Sequence, residues 1–281
     1  MARQWPAIEV RGSLSDADAD LLLAAIDDFS PTALEKDESG LRIFFAIAEA
    51  RDAAIAAIAH LATPGASGYA TIDVSDEDWA ERSQDNLQPV TVGRITIVPS
   101  LTGHSSIVDR QSSISLVIPP SMAFGTGHHA TTRLCLAALQ TIDVAGRSVI
   151  DVGAGSGVLA FAAAALGARR VVGIDNDLEA VATARENLAR NPHVRNVEFF
   201  QRNLRELAMS DADILTANLT GHLLASESVT LTNSVRPGGH LIISGVLAEE
   251  SDAVLGAFGL GVHQAWLAEE DGWIGVRLVK K

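Results

Sequence analysis

The sequence predicts an α/β protein: a mostly parallel, Rossmann-like sheet preceded by a small ferredoxin-like α+β unit. Three observations carry this. Residues 148–175 run as a strand, a glycine turn, a helix, a second strand and an acid. A βα pattern continues to about residue 258 and closes on two apolar runs flanking Glu270-Asp271-Gly272, the signature of an antiparallel hairpin. The first 75 residues read in the order βαββαβ.

In that first unit, residues 8–11 read as a strand. Residues 16–29 read as an amphipathic helix with Leu21, Leu22, Ala25, Ile26 and Phe29 on one side. Residues 32–36 and 41–48 read as strands joined by the turn-rich Asp37-Glu38-Ser39-Gly40. Residues 49–61 form a second helix that turns Ile55, Ile58 and Leu61 inward, and residues 69–74 close the sheet. Residues 76–93 read as a connector, with a helix over 76–84 anchored by Trp79 and ended before Pro89. A β-type run at 92–99 leads into the larger domain, so the expected division is 1–75, 76–93 and 94–281.

The chain has 281 residues, 47% of them hydrophobic, enough for a sizeable core. A single cysteine, Cys135, allows no intrachain disulfide. No run reaches the roughly 18 apolar residues of a membrane span. Residues 1–10 lack a basic stretch followed by an apolar one. A cytoplasmic monomer with no membrane contact is the expectation. The net charge of −14 argues against nucleic acid as a direct partner and suits a basic protein. Residues 1–75 hold 12 acids against 5 bases. A solvated, solubilising surface explains that excess equally well.

The glycines of Asp151-Val152-Gly153-Ala154-Gly155-Ser156-Gly157 are spaced G-x-G-x-G. A dinucleotide fingerprint needs its third small residue at 158, and Val158 stands there, which disfavours a nicotinamide oxidoreductase. The spacing is the one common in S-adenosylmethionine-dependent methyltransferases. Residues 148–152 are apolar enough for a buried parallel strand, and an Ala-rich helix over 159–166 follows the turn. Asp175, at the end of a strand over 171–174, can accept hydrogen bonds from two ribose hydroxyls.

Met122-Ala123-Phe124-Gly125-Thr126-Gly127-His128-His129-Ala130-Thr131-Thr132 precedes a helical run at 133–140. Glycines beside hydroxyl residues at a helix start offer backbone donors to a ligand, and Thr132 either caps the helix or contacts a cofactor. His128-His129 lacks a spaced third ligand, so no metal site is expected. Residues 213–219 read as an apolar strand ending in Asn218, whose carboxamide both accepts and donates; capping the next helix is the plainer role. Pro237-Gly238-Gly239-His240 through Gly245 reads as a turn into a scaffold strand.

Together these segments resemble the ribosomal protein L11 methyltransferase family. The carrying residues are Ala123 through Thr132, Asp151 through Gly157, Ala217-Asn218-Leu219 and Ser244-Gly245-Val246-Leu247, with Asp78-Trp79 and Pro99-Ser100 in addition. His128 and Ala130 stand where the family often has Thr and Pro. The resemblance implies a seven-stranded methyltransferase domain and an N-terminal substrate-recognition domain. It carries S-adenosylmethionine binding to Thr132, Gly153, Asp175 and Asn218, with Gly155 in the same turn. It implies a basic ribosomal protein as partner, methylated on lysine side chains and its terminal α-amine.

The expected chemistry is in-line displacement by a neutral amine on a sulfonium methyl. Asn218 orients the amine, and His129 or His128 is a candidate proton acceptor. Two alternatives stay open. One is the same chemistry on another protein's lysine or on a small molecule. The other is a non-catalytic, cofactor-binding ribosome-assembly module.

Overall fold

The structure is a computed structural model and describes residues 4–26, 29–37, 40–61, 63, 65–75, 88–99, 114–119, 127–207 and 211–281. The chain divides into two compact units, Met1–Asn86 and Leu87–Lys281. The helix expected at 76–84 with Trp79, and the glycine segment from 122 to 126, lie outside the described residues. Among the described residues no helix is long and apolar enough to cross a membrane.

The first unit follows the expected βαββαβ order. It comprises β1 (Gln4–Gly12), α1 (Asp16–Ile26), β2 (Pro31–Asp37), β3 (Gly40–Phe45), α2 (Ala48–Ile58) and β4 (Ala66–Ser75). The sheet order is β2-β3-β1-β4, antiparallel throughout, as a ferredoxin-like layout requires. Alternation sends Ile8, Val10, Ile43 and Phe45 to one face, where Leu22, Ile26, Ala54 and Ile58 meet them. Leu21 departs from expectation and is 49% exposed. It lies one residue, about a quarter-turn, off the Leu22–Ile26 stripe that the sheet covers.

The second unit opens with a three-stranded sheet: β5 (Val90–Val92), β6 (Ile95–Val98) and β7 (Ile114–Val117), in the order β5-β6-β7. The run expected at 92–99 is thus two strands around a turn at Gly93, whose φ is +55°. Strand β7 was not expected. At Val117 its outer edge is met by a side chain. The Asn191 carboxamide accepts from Val117 N–H and donates to Val117 C=O, both at 2.8 Å.

A seven-stranded sheet follows. Its elements are α3 (Ala130–Leu139), β8 (Ser148–Val152), α4 (Val158–Ala165), β9 (Arg170–Asp175), α5 (Leu178–Arg190), β10 (Val197–Gln201), β11 (Ala212–Asn218), α6 (Gly221–Ser226), α7 (Ser228–Asn233), β12 (Val235–Leu247), α8 (Ser251–Ala257), β13 (Val262–Glu270) and β14 (Trp273–Lys280). The order is β10-β9-β8-β11-β12-β14-β13. Strands β8 to β12 run parallel, and β13–β14 is the expected antiparallel hairpin. Leu136, Phe161 and Val181 bring α3, α4 and α5 to one face. Leu224, Leu231 and Val254 bring α6, α7 and α8 to the other.

The βα series is interrupted once. Between β10 and β11 the described residues form only a 3-10 turn, Leu204–Glu206. An open groove of about 400 Å³ therefore lies against Ile150, Val172, Ile174 and Phe200.

The Asn191 clamp is buried and joins β7 to the end of α5. Asn191→Ala leaves a buried N–H and a buried C=O without partners, at about 1–3 kcal/mol each. We expect a loss of about 3 kcal/mol in denaturant unfolding, whereas a loss below about 1 kcal/mol would show that water replaces the carboxamide.

Candidate functional site

Chain order runs outward from β8 to β10, then returns to β11 beside β8. The carboxyl ends of β8 and β11 thus flank the point where strand order reverses, the place where open α/β sheets bind ligands. Register pairs Ala217 with Val152. The next residue of each strand is Asn218 and Gly153, so parallel pairing alone brings these two sequence-predicted residues together.

Beneath them lies Asp151, 1% exposed. Its carboxylate accepts from the Thr216 hydroxyl at 2.6 Å and from Ala160 N–H in the first turn of α4 at 3.1 Å. Gly157, the N-cap of α4, has no side chain, so Asp151 serves as the cap from a distance. Burial pushes the Asp151 carboxyl up to about 7, against the opposing pull of those two donors.

The glycine turn closes onto β9. Gly153 N–H and Ala154 N–H both donate to Ile174 C=O, at 2.9 and 3.0 Å. Gly155 N–H donates to Asp175 Oδ2 at 2.9 Å, and Asp177 N–H donates to Oδ1 at 3.0 Å. Asp175 is therefore oriented by the turn it faces. Burial raises its carboxyl above the usual range, while these N–H groups act in the opposite sense. Gly153 has φ +69°, and a Cβ there would lie 2.5 Å from Leu219 Cδ2, next to Asn218.

Helix α3 starts at Ala130, three residues before the expected 133, because the His129 ring is its N-cap. Thr131 N–H donates to His129 Nδ1 at 3.3 Å, and the Thr131 hydroxyl lies 2.8 Å from the same nitrogen. Asn218 Nδ2 donates to that hydroxyl at 3.1 Å. The His129 and Trp273 rings meet edge to face, 5.2 Å between centroids. Burial, then the Arg133 guanidinium, lowers His129 to about 4, with Asp271 acting in the opposite sense. Thr132 is 1% exposed, and its hydroxyl finds no partner among the described residues. His128 Nε2 faces Gln88 C=O at 3.0 Å, while its buried Nδ1 has no described partner.

Three residues of this arrangement were not singled out from sequence: Thr131, Asp151 as a cap, and Arg133. Arg133 pairs with Glu270 at 2.7 Å and Asp271 at 3.0 Å, and it donates to His128 C=O. It ties the hairpin tip to the start of α3. A basic residue in a first helical turn is unfavourable to the helix dipole, and that oddity was the legible signal.

Asp151 yields a pH prediction. The unfolded carboxyl ionises near 3.8 and the folded one near 7, so between those values the unfolded state binds fewer protons. Stability from this group falls as pH rises through that window. Asp151→Asn does not titrate. Its stability relative to the parent is expected to rise by on the order of 2 kcal/mol from pH 5 to pH 8 in melting experiments. A pH-independent difference would mean that Asp151 is ionised throughout.

A family model described as ribosomal protein L11 methyltransferase (PrmA) matches residues 14–281. The ribosomal protein L11 methyltransferase of Pseudomonas aeruginosa (strain LESB58) is 40% identical over 205 residues, 73% of this chain and 68% of that protein. That of Azotobacter vinelandii is 39% identical over 209 residues, 74% of this chain and 70% of that protein. The crystal structure of a ribosomal protein L11 methylase from Lactobacillus delbrueckii subsp. bulgaricus superposes with a TM-score of 0.62 at 26% identity, covering 69% of this chain and 100% of that one. The glycine turn, the strand order and these relatives agree: the chain belongs to the ribosomal protein L11 methyltransferase family.

Proposed function

We propose that this chain methylates ribosomal protein L11 on lysine side chains and on its terminal α-amine. S-adenosylmethionine is the methyl donor and supplies a methyl already activated on a sulfonium. The residues at the switch point fit it. The buried Thr132 hydroxyl, without a partner among the described residues, offers a polar contact, Gly153 leaves the turn free of a side chain, and the Asp175 carboxylate keeps acceptor capacity for hydroxyls.

The observation that carries the catalytic reading is Asn218. Its Nδ2 is held by Thr131, and no described group donates to its Oδ1. A neutral acceptor at the rim is what an incoming amine N–H needs. The protein's contribution is then alignment, worth up to about 7–11 kcal/mol in favourable cases. A lysine of pKa about 10.4 costs roughly 4 kcal/mol to deprotonate near pH 7.4, and an α-amine of pKa about 8 far less. His129, lowered to about 4, is too weak a base to take that proton at neutral pH. His128 faces a backbone carbonyl. Neither histidine takes the proton in this reading, and it leaves to water, before or after docking. The acidic residues 1–75, 12 acids against 5 bases, suit recognition of a basic ribosomal protein in the cytoplasm.

Purified L11 incubated with enzyme and S-adenosylmethionine is expected to gain whole methyl masses on lysines and its N-terminus by mass spectrometry. Gly153→Arg, which fills the turn, should lower the rate by at least about 100-fold. Methylation of other proteins in a cell extract with L11 left unmodified would overturn the substrate assignment.

A further inference from the structure

We infer that Thr131 is a positioning residue: its hydroxyl decides which end of the Asn218 carboxamide faces the substrate amine. This rests on the reading of Asn218 given above.

A carboxamide is nearly symmetric in shape, and its two orientations differ only in which end donates. Something of fixed polarity must choose between them. In the contact chain His129–Thr131–Asn218 that element is a backbone amide. Thr131 N–H can only donate, and it points at His129 Nδ1, 3.3 Å away. Nδ1 is then an acceptor, and the ring proton of the neutral imidazole sits on Nε2. The Thr131 hydroxyl lies 2.8 Å from the same Nδ1 and must donate to it. What remains on that oxygen is lone pairs, so the Asn218 end 3.1 Å away must be the NH2.

The Asn218 Oδ1 is thereby turned from Thr131 and left to accept. The flipped carboxamide would set its oxygen against an oxygen whose proton is already committed. It would also present NH2 to an amine that needs an acceptor. Thr131 is 1% exposed, so water cannot readily substitute for the missing hydrogen bond. The imidazole is steadied by the edge-to-face contact with Trp273. Polarity is thus passed from one N–H at a helix start to a side chain 87 residues later in sequence.

The test is a mutant cycle on Thr131 and Asn218, reading kcat and KM for methyl transfer to L11. Thr131→Val keeps the shape and removes the hydroxyl. It should lower kcat roughly tenfold with KM for S-adenosylmethionine within about twofold, and Thr131→Ser should restore most of the loss. In an Asn218→Ala background, Thr131→Val should cause no further fall in kcat. If Asn218→Ala alone leaves kcat unchanged, the reading of Asn218 fails. If Asn218→Ala lowers kcat but Thr131→Val does not, or if the two losses add, the inference about Thr131 fails. One readout needs no variant. Nitrogen NMR of histidine-labelled protein should find His129 Nδ1 unprotonated and Nε2 protonated at pH 7. A protonated Nδ1 would overturn the relay.

Discussion

One buried carboxylate joins β8, β11 and α4 at the carboxyl rim of the sheet. Asp151 sits in β8, takes the Thr216 hydroxyl of β11 and caps the first turn of α4. Each contact fixes a different degree of freedom. The Thr216 bond supplements the register that sets Asn218 beside Gly153. The Ala160 bond sets where α4 begins, and so how tightly the glycine turn must close. Placing an acid in such surroundings is costly, and its raised titration reflects that cost. No apolar residue can supply both bonds, which is a physical reason for an acid at the head of this turn.

Much of the fold was legible because it rests on local periodicity. The βαββαβ order and the closing hairpin follow from alternation, helical stripes and turn residues, and the observed bounds fall within a few residues of those expected. Errors arise where a distant partner decides. Strand β7 is short, and its Val117 owes its outward hydrogen bonds to Asn191, 74 residues further on, which no local pattern encodes. Helix α3 begins early because a histidine ring takes the capping role ordinarily filled by Ser, Thr, Asp or Asn. Leu21 looked like part of a stripe that in fact runs through Leu22 and Ile26.

The site divides in the same way. Gly153, Gly155 and Asp175 lie within one strand–turn–helix–strand unit, so their proximity could be read from sequence. Asn218 was found as a polar end to an apolar strand, and the family resemblance marked it. Its neighbour was not found, because Thr131 reaches it only after β11 inserts beside β8 and α3 lies across the same rim. Gly275 belongs to that packing too: a Cβ there would lie 2.6 Å from Leu134 Cβ. Close approach of β14 to α3 helps place Thr131 over the strand ends. Residues whose role is contact across the sheet have no local signature.

Among the described residues, the chain of side chains hydrogen-bonded to Asn218, Thr131 and then His129, is uncharged at neutral pH, and in the amine chemistry proposed above that has a sense of its own. A carboxylate facing the amine would pair best with its ammonium form and hold the proton in place, raising the pKa that catalysis must overcome. A carboxamide oxygen accepts an N–H without adding a charge, so in the role proposed for Asn218 it would orient the amine while favouring the ammonium far less. Burial and the Arg133 neighbour likewise keep His129 uncharged across neutral pH. Among the described residues the nearby carboxylates are engaged by other groups: Asp151 by Thr216 and Ala160 beneath the turn, Asp175 by Gly155 and Asp177, and Glu270 and Asp271 by Arg133. An enzyme whose donor arrives already activated has more to gain from keeping its acceptor in one orientation than from a strong base.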